Sequence, residues 1–243
     1  MPQRKASDSH NQIVNTGRSV KTDLPVFHFI LTHRFNFDII KIHYTRGENM
    51  KNLLITGFEP FGGESINPSW EAVSRLPENI GEYKITKLLI PVVFGESAKY
   101  ILEVANDLSP DVIISVGQAG GRNAITPEMV AINLRHASIP DNKGNQPQDT
   151  AIVQGRPAAY FTTLPVRKMS DAIKAQGIAS NVSYSAGAYV CNDVLYTLLD
   201  HFKNKNRRVG FIHIPYSKEQ NKEPSMILDD IIKGLTIAIE NID

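Results

Sequence analysis

The stretch 111-DVIISVG-117 decides the fold. Its near-continuous apolar run shows no polar alternation, which predicts a strand buried on both faces, as in a parallel sheet, running into Gly117. Immediately upstream, Ala98, Ile101, Leu102 and Ala105 recur at helical spacing within residues 96–108. The same alternation spreads outward in both directions. Leu53-Leu54-Ile55-Thr56 predicts a first strand ended by 57-GFEPFGG-63, and Asn67-Pro68-Ser69, with Asn67 or Ser69 as cap, opens a helix through Trp70, Val73 and Leu76 that Pro77 stops. Residues 84–90 predict a second strand. Downstream, residues 129–134 read as a strand and 167–176 as a helix ended by Gly177. A strand at 182–190 leads into a helix, and 208-RVGFIHIP-215 is a last buried strand. Ser225 is the expected cap of a closing helix whose stripe is Leu228, Ile231, Ile232, Leu235 and Ile239. The expected fold is therefore α/β: a single domain with a twisted, mainly parallel sheet and helices on both faces, phosphorylase- or hydrolase-like.

Composition narrows the function classes. In 243 residues, 42% are hydrophobic and 21% charged, near the averages for globular proteins. A net charge of +1 without a basic stripe argues against nucleic acid as a partner. No apolar run reaches the roughly 18 residues that a membrane-spanning helix needs. Residues 1–49 share no sustained period with the rest and read as an N-terminal extension, disordered or not native, with Met50 as the expected start. Residues 138–165, rich in Pro, Gly, Asn and Asp, read as a long turn-bearing excursion of the functional or mobile kind.

The chain has one cysteine, which excludes an intramolecular disulfide, a CxxC redox pair and a cysteine-based zinc cluster, and points to a reducing, cytoplasmic setting. That residue, Cys191, falls in the first turn of a helix whose buried stripe is Val194, Leu195, Leu198, Leu199 and Phe202, with Asp193, Asp200, Lys203 and Lys205 expected to stay wet. Unpaired first-turn amides and the helix dipole favour a thiolate there. Ligands of open α/β sheets collect at the carboxyl ends of strands. Three corners lie at such ends, 57-GFEPFGG-63, 117-GQAGGR-122 and the Cys191 corner, and His213 lies near the end of its own strand. A thiol nucleophile needs a base and a group to orient that base, and Glu128 is the candidate carboxylate, placed at the rim. From residues alone the bland alternatives stay open: Cys191 as a small buried hydrophobe, His213 as a core histidine, Glu128 as an exposed surface acid, Phe58, Phe61 and Tyr189 as core packing.

Several segments, in order, carry a resemblance to a known family. They are 57-GFEPFGG-63, 67-NPSWEA-72, 117-GQAGGRNAITPEMVAIN-133, 139-IPDNKGNQP-147, 155-GRPAAYFTTLP-165, 182-VSYSAGAYVCN-192 and 210-GFIHIPY-216. Together they resemble the pyrrolidone-carboxylate peptidases, or pyroglutamyl peptidases I, over nearly everything from Met50 onward, so that 50–243 is expected to be the peptidase domain. The resemblance implies a cysteine omega-peptidase that removes an N-terminal pyroglutamyl residue through a thioester. It places the family's acid, nucleophile and base on Glu128, Cys191 and His213. It also places Phe58, Phe61, Asn67, Gln118 and Tyr189 among the substrate-binding residues, with aromatic faces for a flat ring and the Gln118 amide suited to a lactam. It further implies a homotetramer, N-terminally pyroglutamylated peptides as partners, and neither metal nor cofactor. Three positions depart from the family pattern: Met129 where a basic residue is usual, Ser138 where arginine is common, and Tyr189 where phenylalanine is frequent. Two other classes remain as alternatives. One is a nucleoside-phosphorylase-like transferase, although 117-GQAGGR-122 is neither a P-loop nor GxGxxG. The other is a non-catalytic relic that binds pyroglutamyl peptides without turnover.

Overall fold

Four parallel strands form the centre of the sheet in a computed structural model that describes residues 50–243. The expectations for residues 1–49 lie outside the described residues. In chain order the elements are β1 (Lys51–Phe58), α1 (Pro68–Ser74), β2 (Asn79–Ile80), β3 (Tyr83–Ile90), α2 (Glu96–Leu108), β4 (Val112–Gln118), β5 (Thr126–Pro127), β6 (Val130–Ile132), β7 (Ala159–Phe161), α3 (Val166–Ala175), α4 (Val190–Phe202), β8 (Arg208–Ile214), β9 (Tyr216–Ser217), β10 (Ser225–Met226) and α5 (Leu228–Glu240). The main sheet runs β2-β3-β1-β4-β8-β5. β3, β1, β4 and β8 pair in parallel, while the short edge strands β2 and β5 are antiparallel. β6 pairs with β7 and β9 with β10 in two small ribbons.

Both faces of the sheet are covered, which explains why the central strands lack polar alternation. Leu53 and Ile55 of β1, Val112, Ile114 and Val116 of β4, and Ile212 and Ile214 of β8 face a core closed by α1, α3 and α5. Leu54, Phe58, Ile113, Val209 and Phe211 face the other core, closed by α2 and α4. The helix α1 begins hard against β1. A Cβ on Gly57 would lie 2.8 Å from the backbone of Ser69 and Trp70, so only glycine permits this approach. Of the two expected caps, Asn67 serves: its Oδ1 accepts from the Ser69 amide at 3.1 Å.

Three expectations are corrected. Residues 182–190 form no strand; a single bridge joins Ser183 to Glu128. Ser183 Oγ accepts from the Ser185 amide and Ser185 Oγ from the Gly187 amide, so local serine turns replace a ladder. The segment is an irregular strap leading into α4. Ser225 caps nothing: it lies in β10, and α5 starts after Ile227 without a side-chain cap. Asp193 is not wet but fully buried. Its carboxylate accepts from Arg135 Nε at 2.6 Å and from the Gly95 amide at 2.7 Å, which supplies the partners a buried charge requires.

Helix α4 is thereby seated by the two residues after Cys191. The Asn192 side chain mimics a peptide unit against β6: Oδ1 accepts from the Ile132 amide at 2.9 Å, and Nδ2 donates to the carbonyls of Ile132 at 2.9 Å and Leu134 at 3.0 Å. Asn192→Ala would strand these buried backbone groups, and we expect it to cost about 2–4 kcal/mol in urea unfolding. An unchanged midpoint would show that the three bonds do not anchor the helix.

Candidate active site

The site is assembled where β4 and β8 end. Residues Gly117 and His213 are partners across the β4–β8 ladder, and His213 also pairs with Thr126 of β5. On the same face, the first turn of α4 brings Cys191 over Gly117. A Cβ at Gly117 would stand 2.9 Å from Cys191 Sγ and 2.7 Å from the Phe211 ring, so the sulfur rests where any larger residue would project. The Phe211 ring in turn stacks beside His213, with centroids 4.7 Å apart. Cys191 therefore reaches the rim from α4 packed over the sheet, rather than from a strand end as expected.

Behind the imidazole stands Glu128. It is fully buried, not at the exposed rim, because the short antiparallel β5 carries the chain back under the end of β8. His213 Nδ1 lies 2.7 Å from Glu128 Oε1, which commits one ring nitrogen and leaves Nε2 as the other. Burial opposes ionisation of Glu128, but the hydrogen bond and charge of His213, with Ser183 and Arg122, hold its carboxyl below the usual range. Burial pushes His213 down, and the Arg122 charge adds to this against the opposing pull of Glu128. For Cys191, burial of the sulfur and then the Glu128 charge push the thiol up to about 12, against smaller opposing effects of Arg122 and the backbone amide. These shifts oppose the thiolate that the helix N-terminus favours. Their directions favour a neutral thiol and a neutral imidazole beside an ionised carboxylate.

The five other residues singled out by resemblance line one small cavity with Cys191: Phe58, Phe61, Asn67, Gln118 and Tyr189, completed by Val92 and Val190. Phe61 and Phe94 both pack on the Tyr189 ring. The Tyr189 hydroxyl, the extra group relative to phenylalanine, donates to the Pro140 carbonyl at 3.0 Å. The 139–147 segment is ordered around the cavity by Asp141, which accepts from the amides of Phe94, Lys143 and Asn145, and by Asn142, which donates to Glu59 and Pro60. Asn67 spends its amide on α1 and on the Glu59 carbonyl. Gln118 Oε1 accepts from Gln220 Nε2. Met129 packs against the core on the α1 side, and Ser138 is exposed in its loop. Sequence reasoning gave no role in the site to Arg122, Asn192 or Asp193. The latter two carried a signal, being polar residues inside an otherwise apolar helical stretch directly after the cysteine. Among the described residues, no group of three or more His, Cys, Asp or Glu side chains is placed to hold a metal, and no helix is long and apolar enough to cross a membrane.

A sulfur, an imidazole and a buried carboxylate gathered beside a small apolar cavity on an α/β sheet define the class of cysteine hydrolases. The chain belongs to the pyroglutamyl peptidase family, whose profile matches residues 51–243. It is 48% identical over 198 residues to a pyrrolidone-carboxylate peptidase of Bacillus cereus (strain Q1), covering 79% of this chain and 92% of that one. It is 50% identical over 196 residues to one from Clostridium perfringens (strain 13 / Type A), covering 78% and 92%. Among solved structures it is similar to pyroglutamyl peptidase I of Bacillus amyloliquefaciens, with a TM-score of 0.76, 50% identity, and coverage of 79% and 96%. It is also similar to the pyrrolidone carboxyl peptidase of Thermococcus litoralis, with a TM-score of 0.77, 36% identity, and coverage of 79% and 93%. Neither the phosphorylase nor the relic alternative finds support in these likenesses.

Gly117→Ala would place a methyl group into the sulfur and the Phe211 ring. The expected outcome is a folded protein in which alkylation of the single cysteine is slowed at least about tenfold, because the sulfur and the ring must move. Wild-type labelling kinetics in this variant would show that the contact does not set the position of the thiol.

Proposed function

We propose that this chain hydrolyses the bond after an N-terminal pyroglutamyl residue, with Cys191 as nucleophile, His213 as base and Glu128 as the group that orients it. The carrying observation is the 2.7 Å Glu128–His213 contact on the strand whose ladder partner, Gly117, underlies the Cys191 sulfur. As the thiol attacks the ring-borne carbonyl, its proton passes to His213 Nε2, and the imidazolium so formed is stabilised by Glu128. The carbonyl oxygen gains charge and needs donors. Helix α4 has no side-chain cap, and its ladder starts only with the Asp193 amide bonded to the Tyr189 carbonyl, so the amides before it precede the ladder and suit an oxyanion. His213 then protonates the departing amine, the C–N bond breaks, and water drawn against His213 cleaves the thioester, regenerating the thiol.

The cavity supports the substrate class. Its walls are Phe58, Phe61, Val92, Tyr189 and Val190, with Gln118 as a polar reader, which suits a small, flat, uncharged lactam. The reading extends to substrate-binding roles for Phe58, Phe61, Asn67, Gln118 and Tyr189, to a cytoplasmic homotetramer, and to N-terminally pyroglutamylated peptides as partners. The unpaired cysteine supports the compartment.

Hydrolysis of a chromogenic pyroglutamyl amide tests the reading. Cys191→Ser, His213→Ala and Glu128→Gln are expected to lower kcat by roughly a hundredfold or more, and equal turnover by the cysteine variant would refute it. The titrations give a second expectation. His213 and Glu128 take protons more readily unfolded, at 6.5 and 4.5, than folded, so acidification below about pH 6.5 destabilises the fold. The thiol is held protonated in the fold but ionises near 9.0 when unfolded, so stability also declines above that pH. Thermal melts across pH are expected to show both limbs, with the alkaline one shallower in Cys191→Ala; an unchanged alkaline limb in that variant would contradict the raised thiol.

A further inference from the structure

Glu128 Oε1 receives two donors. One is His213 Nδ1; the other is Arg122 Nη1, also at 2.7 Å. The same guanidinium reaches Thr126 Oγ1 at 2.5 Å, on the residue that pairs with His213 across the ladder. Its second arm, Nη2, donates to the Ser185 carbonyl at 3.1 Å, in the strap that leads into Cys191. One side chain therefore touches the carboxylate, the strand beside the imidazole and the segment that delivers the thiol. We propose that Arg122 is a positioning residue of the reaction, fixing Glu128 Oε1 against His213 and tying the strap of the nucleophile to that carboxylate.

The proposal rests on the catalytic reading above. A guanidinium stays charged at every working pH and holds two acceptors in a fixed fork, which a lysine cannot do. Glu128 has no contact with solvent, and its Oε2 has no hydrogen-bond partner, so the fork and the imidazole hold the ionised carboxylate through a single oxygen. The charged groups that act on His213 are Glu128 after β5 and Arg122 in the loop after β4, and the titratable Cys191 on α4 stands over Gly117, the ladder partner of His213. Of these, only Arg122 carries positive charge, and it disfavours a second cation on the ring. The imidazole is thereby kept in its proton-accepting form, and Glu128 is kept ionised to receive the charge once the proton moves.

Two variants separate charge from geometry. In Arg122→Met, kcat on the chromogenic pyroglutamyl amide is expected to fall roughly ten- to a hundredfold with KM moved less than about threefold, and the acid limb of kcat/KM to move to higher pH. In Arg122→Lys the limb is expected back at its wild-type position while kcat stays several-fold low, because the fork to Ser185 is lost. Since the chain holds one cysteine, the pH profile of its alkylation by iodoacetamide reads the same titration without turnover. A wild type that alkylates normally but hydrolyses no pyroglutamyl amide sinks the function reading and leaves this inference to be decided by the alkylation profiles alone. An unmoved limb and alkylation profile in Arg122→Met, or wild-type kcat in Arg122→Lys, overturns the positioning role. Should circular dichroism show the methionine variant unfolded, the lysine variant decides.

Discussion

The contact between a sulfur atom and a strand that has no side chain is the constraint on which this site depends. Gly117 is the penultimate residue of the buried strand β4, and its missing Cβ leaves room for Cys191 and Phe211 to occupy the same face. A residue from a helix well downstream can reach the sheet there because the backbone is bare. The β4–β8 register then does the rest: aligning Gly117 with His213 places the imidazole one strand spacing from the point where the sulfur rests. Neither residue needs a flexible loop to find the other. Strand and helix backbones hold both, the precision that the proposed proton transfer between them would demand.

Keeping an ionised carboxylate out of water is the principal electrostatic cost of the arrangement. Removal of one charge from solvent costs several kcal/mol even after relaxation, so Glu128 is tolerable only beside groups that compensate it. That compensation comes from Arg122 and from the His213 N–H, both at 2.7 Å from Oε1. On the proposed reading, charge separates as the proton moves from sulfur to nitrogen. The new cation then forms next to a carboxylate already in place, and the new anion forms at an uncapped helix start. Fixed dipoles that wait for charge to develop are more effective than solvent, which must reorganise. A resting ion pair would stabilise the ground state as well and would help the reaction less.

The parts of this molecule legible in its sequence are those governed by local rules. The apolar run of β4, the helical period of α2 and the Asn67 cap depend on neighbours within a turn or a strand, and they stand where the residues put them. The strap at 182–190 misled because its β-branched and aromatic residues have strand propensity, while the decisive interactions are serine hydroxyls bonded to amides two residues on. Asp193 misled for a different reason. A helical wheel assigns an acid to solvent, whereas its partners, Arg135 and Gly95, come from distant loops that no period reports. Arg122 left no local trace at all, since what distinguishes it is the convergence of three acceptors from separate segments. Motif resemblance gathered the cavity residues in advance. It said nothing of which polar groups among them are already spent.

That last point bears on how a lactam is to be recognised. Of the two amide side chains at the cavity, Asn67 has both ends committed, its oxygen to Ser69 and its nitrogen to the Glu59 carbonyl. It shapes the wall and has little left to offer a ligand. Gln118 spends its oxygen on Gln220, so the amide hydrogens are what it can present. On the proposed reading, those hydrogens suit the lactam carbonyl, which a proline ring lacks. A polar group built to receive a carbonyl penalises a ring that lacks one far more than an apolar wall penalises a change of shape. Discrimination would then rest on one donor set in an otherwise apolar cavity, with the Gln118–Gln220 bond fixing which face of the amide looks inward.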